Sequence, residues 1–129
     1  MTCHLVFEAW DPEHPATQSP TVVNDIIRGE IGFDGLLLTD DIDMQALEGT
    51  IPERSEKALA AGCDLVLNCW GRMDDMRGIA ERCGALSDQG MQRLDRALEA
   101  TDLARGDLAQ REDLIAKRDA LLNAAEVAA

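Results

Sequence analysis

The chain has 129 residues, one ordinary domain's worth, of which 46% are apolar and 29% charged, a balance that excludes wholesale disorder. Its 25 acids outweigh 12 bases to give −13, a surface that repels phosphate backbones and anionic lipid and argues against nucleic-acid and membrane partners. No apolar run approaches the length of a membrane-spanning helix.

The charge is lopsided, with 17 acids and 6 bases in residues 1–89 against 8 and 6 in residues 90–129. In chain order, the apolar, β-branched residues 3–7 predict a strand, followed by a polar, proline-rich loop over residues 10–20. Ser19 supplies an N-cap oxygen and Pro20 suits a first helical position, so a helix is expected over residues 20–31. Val22, Val23, Ile26 and Ile27 form its apolar stripe, and Gly32 ends it. Residues 36–39 read as a strand covered on both faces. Past the acids Asp40, Asp41 and Asp43, Thr50-Ile51-Pro52-Glu53 has capping-box spacing and opens a helix through Ala61, which Gly62 stops. Residues 64–68 predict a third strand. Helices follow over residues 73–82, 88–104 and 108–127.

Strand starts near 3, 36 and 64 lie 33 and 28 residues apart, the length of one strand–helix unit. A crossover of that length makes successive strands parallel. Three such strands leave one sheet face and both edges uncovered, so the chain reads as part of something larger. Met1 is then expected to be an internal methionine or a fragment boundary.

Chemistry in α/β folds gathers where parallel strands lead into their helices. Asp40 shares the parity of Leu36 and Leu38, whereas Asp41 points the other way. Acids at such positions also cap helices, which is the plainer reading of any one of them. An EF-hand reading of Asp41, Asp43 and Gln45 fails because Ala46 stands where a glycine is needed. His4 suits a packed histidine at least as well as a ligand, and His14 should be exposed. Trp10 and Trp70 fall on the same rim; either could stack on a sugar, but rim packing is the safer expectation. Cys3, Cys63, Cys69 and Cys83 lack zinc spacing, and Cys63 and Cys69 read as small buried hydrophobes in a reducing compartment. No signal peptide is visible at the N-terminus, so the expected location is cytoplasmic. No metal or cofactor is called for.

Gly32-Phe33-Asp34-Gly35-Leu36-Leu37-Leu38-Thr39-Asp40-Asp41-Ile42-Asp43-Met44 resembles the G-F-x-G-hydrophobic-[ST]-D-D-x-x-M segment of glycoside hydrolase family 3. The likeness is to its bacterial β-N-acetylhexosaminidases, which trim N-acetylglucosamine from peptidoglycan fragments. Met1-x-x-His4, Asp11-Pro12, Pro15-Ala16-Thr17-x-Ser19-Pro20, Arg28-Gly29-Glu30-Ile31-Gly32 and Ala61-Gly62-Cys63-Asp64-Leu65-Val66-Leu67 agree in order and spacing. The resemblance implies an α/β fold: strands six to eight of a (β/α)8 TIM barrel over residues 1–86, with C-terminal helices over 87–129 packing on it. It implies Asp40 as the catalytic nucleophile, and Met1 and His4 as substrate-binding residues. The partner would be a carbohydrate bearing N-acetylglucosamine.

The family's acid/base Asp–His pair lies on a loop after the fifth strand, and its motif is missing here. The isolated chain is therefore expected to be inactive and to self-associate through its open barrel face. The alternatives are a receiver-like signalling module with Asp40 as phosphoacceptor, and a non-catalytic scaffold of the same family. A receiver-like fold would need five strands and a lysine on the last, whereas Lys57 and Lys117 both fall on predicted helices.

Overall fold

A computed structural model describes residues 1–103 and 108–127. Ala104, the last residue of one predicted helix, lies outside them. The chain divides into two compact units, Met1–Ala97 and Leu98–Ala129.

In the first unit, β1 (Leu38–Asp41) and β2 (Leu65–Leu67) form a two-stranded parallel sheet. A π-helix (Thr21–Glu30) precedes β1, α1 (Ile51–Ala60) joins the strands, and α2 (Met73–Cys83) follows β2. The helix α3 (Asp88–Leu103) begins in this unit and ends in the second, which also holds α4 (Leu108–Val127). On α4 the side chains of Leu114, Leu121 and Leu122 are all exposed. Among the described residues no helix is long and apolar enough to cross a membrane.

The helix boundaries follow the capping chemistry. Ser19 Oγ accepts the N–H of Val22 at 3.1 Å, and Glu53 reaches back to the Thr50 N–H at 2.9 Å. The first helix is wider than expected, because the Ile31 N–H reaches five residues back to Ile26 C=O. Neighbours at i, i+1, i+4 and i+5 share a face under either winding, so the stripe could not distinguish them. Val23 on that stripe packs with Leu37, Ala61 and Cys63, and Ile27 borders the cluster. Gly62, at φ +113°, lets α1 end against this helix; a Cβ there would lie 2.8 Å from Asn24 Oδ1 and 2.9 Å from Val23 Cγ1. A second cluster of Ile42, Leu47 and Ile51, with Val66 and Ile79 against it, seals α1 and α2 onto the sheet. Burial pushes the Cys63 thiol up to about 11, so it stays neutral in the core.

Three expectations are corrected. Residues 3–7 do not join the sheet as a ladder strand. Thr2 N–H bonds Leu38 C=O at 2.8 Å, but the carbonyls of Cys3 and Leu5 then accept the N–H groups of Thr17 and Ala16 from the loop that folds back. That local pairing takes acceptors a parallel strand would have used. Secondly, β1 starts two residues later than expected and carries Asp40 and Asp41 within it. Thirdly, Cys69 is exposed rather than buried, because it lies in the turn beyond β2.

Candidate active site

The pairing Leu38↔Leu65 and Asp41↔Leu67 sets three steps of β1 against two of β2, so one extra residue bulges from β1. The Thr39 hydroxyl bridges the irregularity by accepting the Leu67 N–H at 2.9 Å, and the Ile42 N–H returns to Leu67 C=O at 2.9 Å. Bulges re-aim side chains beside active sites. Thr39 and Ile42, on either side of the bulge, are both fully buried. Asp40 sits inside it and is half-buried.

The three acids are used differently. Asp41 Oδ1 accepts the N–H groups of Asp43 and Cys69, each at 3.1 Å, which ties the end of β1 to the turn after β2. Burial pushes the Asp41 carboxyl up. Those two N–H groups, the Cys69 thiol and the nearby His4 outweigh it and hold the carboxyl below its usual range. Asp43, 3% exposed, faces Arg72 at 3.6 Å and accepts the Trp70 N–H at 3.4 Å. The Asp40 carboxylate accepts its neighbour's N–H at 2.8 Å and no other hydrogen bond among the described residues. The surplus of negative charge reaches Cys69, whose thiol is pushed up by desolvation and by Asp41, Asp43 and Asp40.

His4 lies behind β1. Its Nε2 donates to Asp41 C=O at 2.9 Å, and its Nδ1 meets Thr17 Oγ1 at 2.8 Å. Thr17 Oγ1 also donates to Cys3 C=O and meets Thr2 Oγ1. Met1, three residues earlier, is 75% exposed. His14 is exposed, as expected, against Asp11.

Sequence reasoning missed Arg54, whose guanidinium holds the loop after β1 by donating to the carbonyls of Ile42, Met44 and Gly49. An arginine at the start of a capped helix carries no signal of that task. Thr39 and Cys69 were equally silent, since their tasks depend on the partner strand.

Asp40 thus lies in a bulge at the carboxyl end of a parallel strand, followed by turns that Asp41 and Asp43 anchor. Residues 1–102 match the Glycosyl hydrolase family 3 N terminal domain. The chain belongs to glycoside hydrolase family 3.

Among relatives of this family-3 chain are the beta-hexosaminidases of Alkalilimnicola ehrlichii, 42% identical, and Chromobacterium violaceum, 46% identical. Each match covers 71 residues, 54% of this chain and 20% of the relative. The fold is similar to a glycoside hydrolase family 3 beta-N-acetylglucosaminidase from Paenibacillus sp. str. FPU-7, with a TM-score of 0.65 and 28% identity over 78% of this chain and 22% of that one. It is also similar to the beta-N-acetylglucosaminidase from Thermotoga maritima, with a TM-score of 0.56 and 27% identity over 78% and 24%. The chain spans about a fifth of the length of the curated relatives it matches. Neither comparison lends the receiver-like reading any support.

Proposed function

We propose that this chain carries the nucleophile of a retaining β-N-acetylhexosaminidase and that Asp40 is that nucleophile. The observation that carries the reading is the division of labour among the acids. Asp41 and Asp43 are committed to backbone N–H groups and Arg72, which leaves Asp40 as the one of the three acids whose carboxylate, among the described residues, meets only its neighbour's N–H. A retaining glycosidase needs such a group to attack the anomeric carbon as the leaving oxygen takes a proton from an acid. Water then attacks the anomeric carbon while losing a proton to the conjugate base of that acid, and the glycosyl ester breaks to release the Asp40 carboxylate.

In this reading residues 1–86 belong to a (β/α)8 barrel, with β1 and β2 as its seventh and eighth strands and residues 3–7 at the place of the sixth, and residues 87–129 supply the helices that follow. The substrates are saccharides ending in N-acetylglucosamine, of the kind derived from peptidoglycan, handled in the cytoplasm. Met1 contacts the sugar directly. His4, with both ring nitrogens engaged, acts on the site by fixing the Asp41 carbonyl. The isolated chain is inactive for want of the acid/base pair. It self-associates through exposed Met1, Leu5 and Val6 and the open sheet edges. Sedimentation of the purified chain, with a chromogenic N-acetylglucosaminide as substrate, checks this; an active, cooperatively melting monomer would refute it.

The nucleophile is tested by grafting the segment into a complete family-3 barrel. Asp40→Asn should lower turnover by several orders of magnitude, as loss of a nucleophile does, while Asp41→Asn should act mainly on stability. Full activity in Asp40→Asn would sink the assignment.

A further inference from the structure

A bulge leaves one peptide N–H without its ladder partner, and that group must find another acceptor. The register identifies it. The Leu65 N–H meets Leu37 C=O at 3.2 Å, and a regular parallel ladder continued from there would give the Asp41 N–H to Leu67 C=O. The Ile42 N–H takes that carbonyl instead, at 2.9 Å. The displaced Asp41 N–H turns to Asp40 Oδ1 at 2.8 Å, so the orphan of the bulge is satisfied by the carboxylate inside it.

The irregularity is held at both ends. On the amino side Asp64 takes both backbone groups of Leu37: its Oδ2 accepts the Leu37 N–H at 2.8 Å, and its N–H meets Leu37 C=O at 2.9 Å. On the carboxyl side Asp41 Oδ1 accepts the Cys69 N–H at 3.1 Å. Between them Thr39 is 0% exposed, and its Oγ1 accepts the Leu67 N–H at 2.9 Å. The hydroxyl thus supplies β1 with an acceptor at the point where the ladder is broken.

We propose that the Asp41 peptide N–H orients the nucleophile by holding Asp40 Oδ1, which assigns the attack to Oδ2, and that Thr39 is the positioning residue that keeps the bulge where this bond forms. Only Oδ1 is engaged among the described residues, so the fold itself distinguishes the two oxygens. Oδ2 forms the bond to the anomeric carbon as the glycosidic oxygen leaves with a proton from the acid. In the resulting ester Oδ1 is the carbonyl oxygen and still accepts the Asp41 N–H. A carboxylate plane fixed in advance removes that ordering from the barrier. The assignment of attack rests on the Asp40 reading; the bond and its dependence on Thr39 do not.

Amide exchange in the 129-residue chain reads the bond directly. Asp40→Ala should speed exchange of the Asp41 amide by about fivefold, the loss of one ordinary hydrogen bond, and leave the Ile42 amide as it was. An Asp41 amide that exchanges at an unchanged rate would overturn the bond. Thr39 is tested by kinetics in the complete family-3 barrel carrying this segment. Thr39→Val should lower kcat per folded molecule by about a hundredfold, the cost of misplacing a reacting group by an ångström, with KM little changed. Thr39→Ser should restore most of that loss. Full kcat in Thr39→Val, or a change confined to KM and stability, would overturn the positioning role. Activity surviving in Asp40→Asn would overturn the assignment of attack, while the exchange rates still decide the bond.

Discussion

Both ends of the β1–β2 sheet are built on aspartates, and the fold uses them in opposite ways. At the amino end, Asp64 is 5% exposed and meets Arg28 at 2.8 Å and Arg93 at 2.9 Å, while accepting the Leu37 N–H at 2.8 Å. Arg28 spends its remaining reach on the carbonyls of Phe33 and Gly35. Asp34, largely exposed, takes Arg93 and Arg96. Arginine answers each acid there, and the product is an anchor for the start of α3. At the carboxyl end, Asp43 alone of Asp40, Asp41 and Asp43 meets an arginine, Arg72, among the described residues, and backbone N–H groups do most of the compensation. Balanced acids hold structure together. Surplus acids, fixed by peptide dipoles, keep a charge in place where it can react.

The contrast breaks or sharpens under substitution. The largest effect belongs to Asp64→Ala, which strands Arg93 and Arg28 in a site where both are mostly buried. Breaking such a pair costs about 3–5 kcal/mol, read from urea unfolding. Asp40→Asn should cost less than about 1 kcal/mol, since it loses only a local hydrogen bond. Equal losses at the two positions would erase the distinction between the ends.

Thr39→Val comes next. It removes the acceptor of the Leu67 N–H in a fully buried setting, at a cost of about 1–3 kcal/mol. Amide exchange at Leu67 should accelerate in step, whereas an unchanged rate would show that the hydroxyl does not bridge the bulge.

Acid should loosen the carboxyl end progressively. The Ser19 hydroxyl leads in holding the Asp11 carboxyl low, and Asp41 is held low by N–H groups that outweigh its burial. Both therefore lie below the usual 3.8 when folded, and the unfolded chain binds protons more readily. Their stabilisation is fully present above that value and is lost as pH falls through the folded ones. In acid-unfolding curves, Asp41→Asn should flatten this dependence. An unaltered slope would show that Asp41 carries none of it.

The smallest effect is expected at Asp34→Ala. Its partners meet a carboxylate that is 72% exposed, and such surface pairs contribute within about 1 kcal/mol.

The sequence by itself determined the helices, the parallel sense of β1 and β2 and the end of the sheet where the acids gather. Capping oxygens, positive-φ glycines and apolar stripes are local chemistry, written within a few residues of where they act. It also pointed to Asp40, by parity with Leu36 and Leu38 and by resemblance to the family segment. Only the tertiary structure decided that residues 3–7 pair with their own loop, that an extra residue bulges at Thr39–Asp40, and that Asp41 is spent on Cys69. Only there, too, did Trp10 and Trp70 part company, one against Phe7 and the other in water. Apolar periodicity records which side of an element is buried. It does not record which distant N–H will meet which oxygen, and that pairing, forced by the need to satisfy buried polar groups, assigned each aspartate its task.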